Sequence, residues 1–276
     1  MKLVDNQVSV YTPASYDVEG LYKSIRDAAA ICYQTDTAKS AKTPKEFVYD
    51  VLLKNGHTRP LEFGTVYLKV SEYERDFVAV VEKYYRNKYS RVNMVDDTAY
   101  ITTNMRVICQ GSYKTDKEAW EHGYDRKWMS DVEKYLCPPS IHHDERLTIR
   151  MILSRGCMDD LRTHIELSSI GESTRYCNYA NNKFGKELTF VRPYWGDDEE
   201  IIEKYKIDEE NYIKLMESGR YVSQQLKRIL PMGIKSELCM CGYLDAWDNF
   251  IWRRADEHAD PECVHIAQQI RHLIYE

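Results

Sequence analysis

Two short runs alternate apolar and polar residues with a period of two, and that period limits the possible folds more than any other feature of the sequence. In "TVYLKVSEY", Val66, Leu68 and Val70 alternate with Thr65, Tyr67 and Lys69. In "RLTIRMIL", Leu147, Ile149, Met151 and Leu153 share one face. Successive side chains of a strand point to opposite faces, so each run predicts a strand with one buried side. Helical spacing appears from Ser24 to Ala30 and from Lys45 to Asn55, where Gly56 can take the left-handed conformation of a helix end. It returns from about Glu209 to Ile229, stopping before Pro231, and from about Leu244 to His258. A turn is expected at Pro60, and residues 72–145, rich in Tyr and charge, read as helix, loop and helix. Strands grouped early and helices grouped late predict an α+β fold with a mixed or antiparallel sheet flanked by long helices. Pro and Gly are sparse and there is neither linker nor repeat, so one domain over 1–276 is expected, with 84–145 a candidate lid, interface or insertion.

Composition removes several function classes. A net charge of -6 argues against general binding to nucleic acid, which needs clustered Lys and Arg. The 22 tyrosines are interleaved with basic residues only in "YYRNKYSR" at 84–91, so they read as packing residues, not a base-stacking platform. Eight cysteines lack the spacing of a zinc site, which predicts no metal and free thiols in a reducing compartment. No run approaches ~20 apolar residues, so a cytoplasmic protein without a membrane partner is expected. There is no Gly-x-Gly-x-x-Gly, no Walker loop and no Gly-x-Ser-x-Gly elbow. Any nucleotide must therefore be held by side chains.

Three short stretches carry candidate site residues. Winding 244–258 at about 100° per residue places Leu244, Trp247, Phe250 and Ile251 on one stripe, with Arg254 and His258 inside it and Asn249, Arg253 and Asp256 elsewhere. Charged residues on a buried stripe need partners. Two readings stay open: an internal ion pair, or a guanidinium aimed at a ligand. In "ESTRYCNY", Ser173 and Arg175 share a face if the chain is extended, and together they suit a monophosphate; a surface turn with a capping Ser is the alternative. "LRTHIELSS" adds Arg162, His164 and Ser168, and "NGHTRPLEF" adds His57, Arg59 and Glu62 on a turn.

Taken together, "ESTRYCNYANNKFGKELTFVRPYW", "KNGHTRPLEF", "LKRILP" and "NFIWRRADEHA" resemble the flavin-dependent thymidylate synthases, the ThyX family, in order and spacing over roughly residues 20–270. The resemblance implies conversion of dUMP to dTMP, with methylenetetrahydrofolate as one-carbon donor and hydride from FAD reduced by NADPH. It also implies a homotetramer with sites between subunits. By the same resemblance, Ser173 and Arg175 hold the dUMP phosphate and Lys227 stands where the family has an arginine for that nucleotide. Arg254 matches the catalytic arginine that polarises the uracil. Asn249, His258 and His57 match residues near the flavin, with His164 and Arg59 on the same side. The sequence departs from the pattern at the Arg-His-Arg signature, where Thr163 and Ile165 replace both arginines. It departs again at Gly171, where Gln or Glu is usual, and at Phe63, where the turn motif closes with His. The nucleotide half of the site is kept and the flavin half is eroded. Alternatives to methylation are flavin-independent one-carbon transfer to a pyrimidine nucleotide, such as hydroxymethylation, and a silent nucleotide-binding homologue.

Overall fold

The computed structural model describes residues 1–111 and 129–276. Its strands are β1 (Lys2–Val4), β2 (Gln7–Val10), β3 (Thr65–Ser71), β4 (Arg91–Val95), β5 (Thr98–Asn104), β6 (Arg146–Ser154), β7 (Ser168–Gly171), β8 (Thr189–Val191) and β9 (Lys235–Tyr243). They form an antiparallel sheet in the order β2-β6-β9-β7, a second antiparallel sheet β3-β5-β4, and a parallel pair β1-β8. The helices are α1 (Val18–Ala30), α2 (Phe77–Tyr85), α3 (Met105–Gly111), α4 (Ser130–Tyr135), α5 (Arg155–Leu161), α6 (Glu199–Glu217), α7 (Leu244–Arg254) and α8 (Pro261–Tyr275). The class is α+β, as the sequence predicts.

Both alternating runs are strands. Val66, Leu68 and Val70 are fully buried on β3, and Ile149, Met151 and Leu153 face a core built with Trp247, Phe250 and Ile251 of α7 and Ile266 and Ile270 of α8. Each such buried side chain contributes about 1.5–3 kcal/mol. The longest ladder joins β6 to β9, from Arg146 opposite Tyr243 to Ser154 opposite Lys235. On β9, Leu238 and Met240 enter that core while Cys239 and Cys241 pack on the other side with Ala28, Ile31, Phe63 and Ile170. A strand buried on both faces has no polar alternation, which is why "ELCMCGY" gave no period-two signal.

The helices correct the sequence reading in four places. The expected 45–55 helix starts from a capping box between Thr43 and Glu46, is α-helical at Pro44–Glu46, widens to a π-helix at Phe47–Leu52 and tightens to a 3-10 turn at Leu53–Asn55. It closes at Gly56 with φ +70°. The expected helix over 209–229 is instead α6, begun by Asp198, whose carboxylate accepts from the N–H groups of Glu200 and Ile201. The chain turns just past it at Gly219, φ +68°, a conformation that favours glycine, before a short turn of helix at Ser223–Leu226. The expected helix over 244–258 stops at Arg254, and a separate helix, α8, starts at Pro261, capped by the Asp260 carboxylate. His258 therefore lies off the stripe. Finally, 72–145 is not helix, loop and helix: α2 leads into the β4–β5 hairpin that pairs with β3. The lid, interface or insertion reading of 84–145 falls partly on 112–128, outside the described residues.

Candidate functional site

α7 and the segment after α5 meet at Arg254. Its Nε donates to His164 Nε2 at 2.8 Å, and one terminal nitrogen donates to the Asp160 carbonyl at 2.8 Å and the Thr163 hydroxyl at 2.7 Å. All three acceptors are neutral groups. Burial, and then the charges of Arg254 and Arg253, push the His164 imidazole down to about 4, so near neutral pH it is an uncharged acceptor. Its ring leans on Phe250 with centroids 4.8 Å apart. Among the described residues no carboxylate pairs with Arg254, so the ion-pair reading of the buried stripe does not apply. One turn earlier, Asn249 donates to Glu166 at 2.9 Å and accepts from Arg253 at 3.0 Å, tying the same loop to α7 a second time.

The phosphate candidates lie on a turn, not on an extended segment. The Ser173 carbonyl accepts from the N–H groups of Tyr176 and Cys177 at 3.0 Å, and the Ser173 N–H donates to the Cys32 carbonyl at 3.1 Å. Arg175 is exposed with its guanidinium 5.4 Å from the Tyr176 ring, which stacks on Tyr33 at 4.6 Å. Behind the turn, Glu172 is 2 % exposed. It accepts from Tyr179 at 2.8 Å, from Lys235 at 2.9 Å and from the Glu237 N–H at 3.2 Å. Lys235 also reaches Glu237 at 3.0 Å and Gln34 at 3.2 Å. Burial lowers the Lys235 ammonium and the two carboxylates more than offset it, leaving it above its ordinary value. The turn is thus anchored to a buried, fully paired cluster.

At the opposite end of the β6–β9 ladder a cavity of about 810 Å³ opens between the 59–62 turn, β4, α3, the 165–168 segment and α7. Arg59, Lys88, Arg91, Arg106 and Arg146 line it against only Glu62, Glu166 and Asp245 among acids. Arg91 binds both oxygens of Asp245, at 2.6 and 2.7 Å, reaches Asp144 at 3.3 Å, and lies 4.0 Å from the centre of the Tyr243 ring. Burial pushes the Tyr243 phenol up to about 12; its hydroxyl donates to the Thr102 carbonyl at 2.8 Å. Arg106 pairs with Glu62. Arg146 is 9 % exposed and donates to Thr65 Oγ1, the Thr103 carbonyl and the Glu62 carbonyl at 3.3–3.4 Å. The Nε atoms of Arg106 and Arg146 are buried without a partner among the described residues. Arg91 and Arg146 also line a neighbouring cavity of about 970 Å³.

The structure gathers the expected residues into separate groups. Arg59 and Asn249 line the cationic cavity; Ser173, Arg175, Lys227, Arg254, His57, His164 and His258 do not. His164 and Arg254 touch each other. His57 is exposed beside Gly56, Lys227 is exposed on the turn at Lys227–Ile229, and His258 is exposed beside Asp256 at 3.2 Å. Arg162 acts on the Cys32 thiol, partly opposing the rise that burial causes there, and is not part of the cavity. Sequence reasoning missed Lys88, Arg91, Arg106 and Arg146. Two signals were available: Lys88 and Arg91 in "YYRNKYSR", which read as packing, and Arg146, which opens a strand whose other side is apolar, yet nothing in the alternation says that this side is buried as well.

A protein-family model described as "Thymidylate synthase complementing protein" matches residues 92–276. Two solved structures of thymidylate synthase X from Helicobacter pylori, both with FAD and dUMP, are similar to the chain. The first shares 20% identity over 46% of this chain and 66% of that one, with a TM-score of 0.39. The second shares 22% over 46% and 67%, with a TM-score of 0.37. The chain thus spans slightly less than two thirds of the first of these relatives. No curated protein matches it.

Proposed function

We propose, for a chain that belongs to the thymidylate synthase complementing protein family, the methylation of dUMP to dTMP, with methylenetetrahydrofolate as one-carbon donor and FAD, reduced by NADPH, as hydride source. The observation that carries this reading is the Arg254 guanidinium, half-buried and held in place by a carbonyl, a hydroxyl and a neutral imidazole. Its orientation is fixed while its charge stays uncompensated. Such a group stabilises negative charge that develops on a uracil ring as C5 bonds to the one-carbon unit, and a site of low dielectric strengthens that effect. No covalent nucleophile from the protein is required.

Ser173, Arg175 and Lys227 hold the phosphate in this reading, with Arg175 steadied by the Tyr176 ring and Ser173 by the buried cluster behind it. His164 positions Arg254. Neither Arg254 nor the 173–175 turn lines the two cavities described here, of about 810 and 970 Å³. By resemblance the proposal includes assembly as a homotetramer, in which one subunit brings its phosphate turn to the Arg254 of another. The cationic cavity suits an anionic cofactor, since two buried guanidinium Nε atoms there lack a partner among the described residues. Arg59 and Asn249 would hold FAD from within it, with His57 and His258 adding contacts from exposed segments. Bound reduced flavin supplies the hydride that completes the methyl group.

The test is incubation of the purified chain with C5-tritiated dUMP, methylenetetrahydrofolate, NADPH and FAD. Tritium release with formation of dTMP is expected, and Arg254→Ala should slow both by about 10²–10³. Tritium release that does not depend on FAD and yields no dTMP would replace methylation by hydroxymethyl transfer. Nucleotide binding with no release would mean a silent homologue.

A further inference from the structure

The cavity beside Tyr243 contains more positive charge than its own acids neutralise. Arg91 is committed to Asp144 and Asp245, and Arg106 to Glu62. Glu166 accepts from Asn249. That leaves Arg59, Lys88 and Arg146, none of which has an acidic partner among the described residues. Arg59 and Lys88 are exposed at the opening, Lys88 with its ammonium 4.8 Å from the centre of the Tyr89 ring. Arg146 sits at the back, buried, its Nε unpaired. A cation in that position lowers the potential energy of an anion in the cavity even without touching it, because a buried charge is screened less than an exposed one. At the rim, where arginines would stand, Ile165 is 95 % exposed and the Thr163 hydroxyl is engaged by Arg254.

We propose that Arg59, Lys88 and Arg146 hold the diphosphate of a dinucleotide. Arg59 and Lys88 bind phosphate oxygens directly and Arg146 supplies charge from behind. The three cations come from the 59–62 turn, the α2–β4 connection and the first residue of β6. The identity of the dinucleotide as FAD rests on the function proposed above; the preference for a diphosphate rests on the cavity alone.

Equilibrium titration of FAD, FMN and riboflavin into the purified chain, followed by flavin fluorescence at low and high salt, tests this without turnover. FAD should bind most tightly and riboflavin least, with FAD affinity falling as salt rises. Arg59→Gln and Lys88→Gln should each weaken FAD about tenfold and leave riboflavin unchanged, while Lys206→Gln, on the exposed face of α6, changes neither. Arg146→Lys, which keeps the charge, should retain FAD binding that Arg146→Met loses, with thermal unfolding of both confirming a folded chain. NADPH that displaces FAD and is weakened by the same substitutions would assign the diphosphate to the nicotinamide dinucleotide. Wild-type FAD affinity in the Arg59→Gln/Lys88→Gln double variant overturns the proposal, as does riboflavin binding as tightly as FAD. Variants that lose FAD in a chain that makes no dTMP uphold the cavity assignment and remove methylation. dTMP formation with unchanged FAD affinity in the variants does the reverse.

Discussion

Lys235 and Arg146 lie at opposite ends of the β6–β9 ladder, ~27 Å apart along the strands at about 3.4 Å per residue, and both are cations inside the protein. Lys235 is closed in by Glu172 and Glu237 and capped by Gln34. Arg146 has carbonyls, a hydroxyl and the Tyr243 ring around it, and no acid among the described residues. The first arrangement is complete in itself and fixes the 172–177 turn. The second leaves a buried charge for something else to neutralise. Pairing thus separates charge used to hold the fold from charge available to a ligand, and Arg254 with its neutral acceptors belongs with Arg146.

The largest effect should come from the paired end. Lys235→Met leaves Glu172 buried without its counterion and should cost about 3–5 kcal/mol, whereas Arg146→Met should cost about 1–2 kcal/mol; urea denaturation of the two variants compares them directly. Equal losses would break the distinction. Restoring neutrality with Glu172→Gln in the Lys235→Met background should recover part of the stability.

Arg254→Ala sharpens the comparison from the unpaired side. Turnover should fall by about 10²–10³, with stability changed by only about 1 kcal/mol, measured by tritium release and by thermal unfolding of the same preparation. A stability loss as large as that of Lys235→Met would make Arg254 a structural cation.

A smaller effect is expected from acid. The unfolded chain protonates His164 near its ordinary value, but the folded chain does so only at about 4. Stability is therefore highest above the ordinary histidine range and declines as pH falls towards 4, because the unfolded state takes up the proton first. His164 is only half-buried, so solvent screening reduces the effect to roughly 1 kcal/mol. Urea midpoints between pH 7 and pH 4 should show this slope, and His164→Gln, which keeps an acceptor for Arg254, should flatten it. The smallest effect should come from Ile165→Arg. At so exposed a position stability should stay within about 0.5 kcal/mol, while FAD affinity in the same fluorescence titration rises a few-fold at low salt. No gain would argue that the rim does not face the diphosphate.

Parts of this protein were legible before any coordinates. The alternation in β3 and β6 was readable because each strand shows one side to the core, and Gly56 because its left-handed backbone favours glycine. The charged stripe on α7 marked Arg254 as unusual. β9 was hidden because both its faces are buried, and α8 because its cap at Asp260 falls just past the point where α7 stops. For Ser173 and Arg175 the sequence left an extended segment and a surface turn both open; the turn was decided by the hydrogen bond to Cys32 and by the Glu172–Lys235 cluster behind it.

The sequence by itself determined the α+β class and the family resemblance, because these rest on local periodicity and on spacing along the chain. Only the tertiary structure decided which charges are neutralised. Lys235 meets Glu172 across 63 residues and Arg146 lines a cavity with Arg59 across 87, and electrostatic compensation depends on distance in space, which no local pattern encodes.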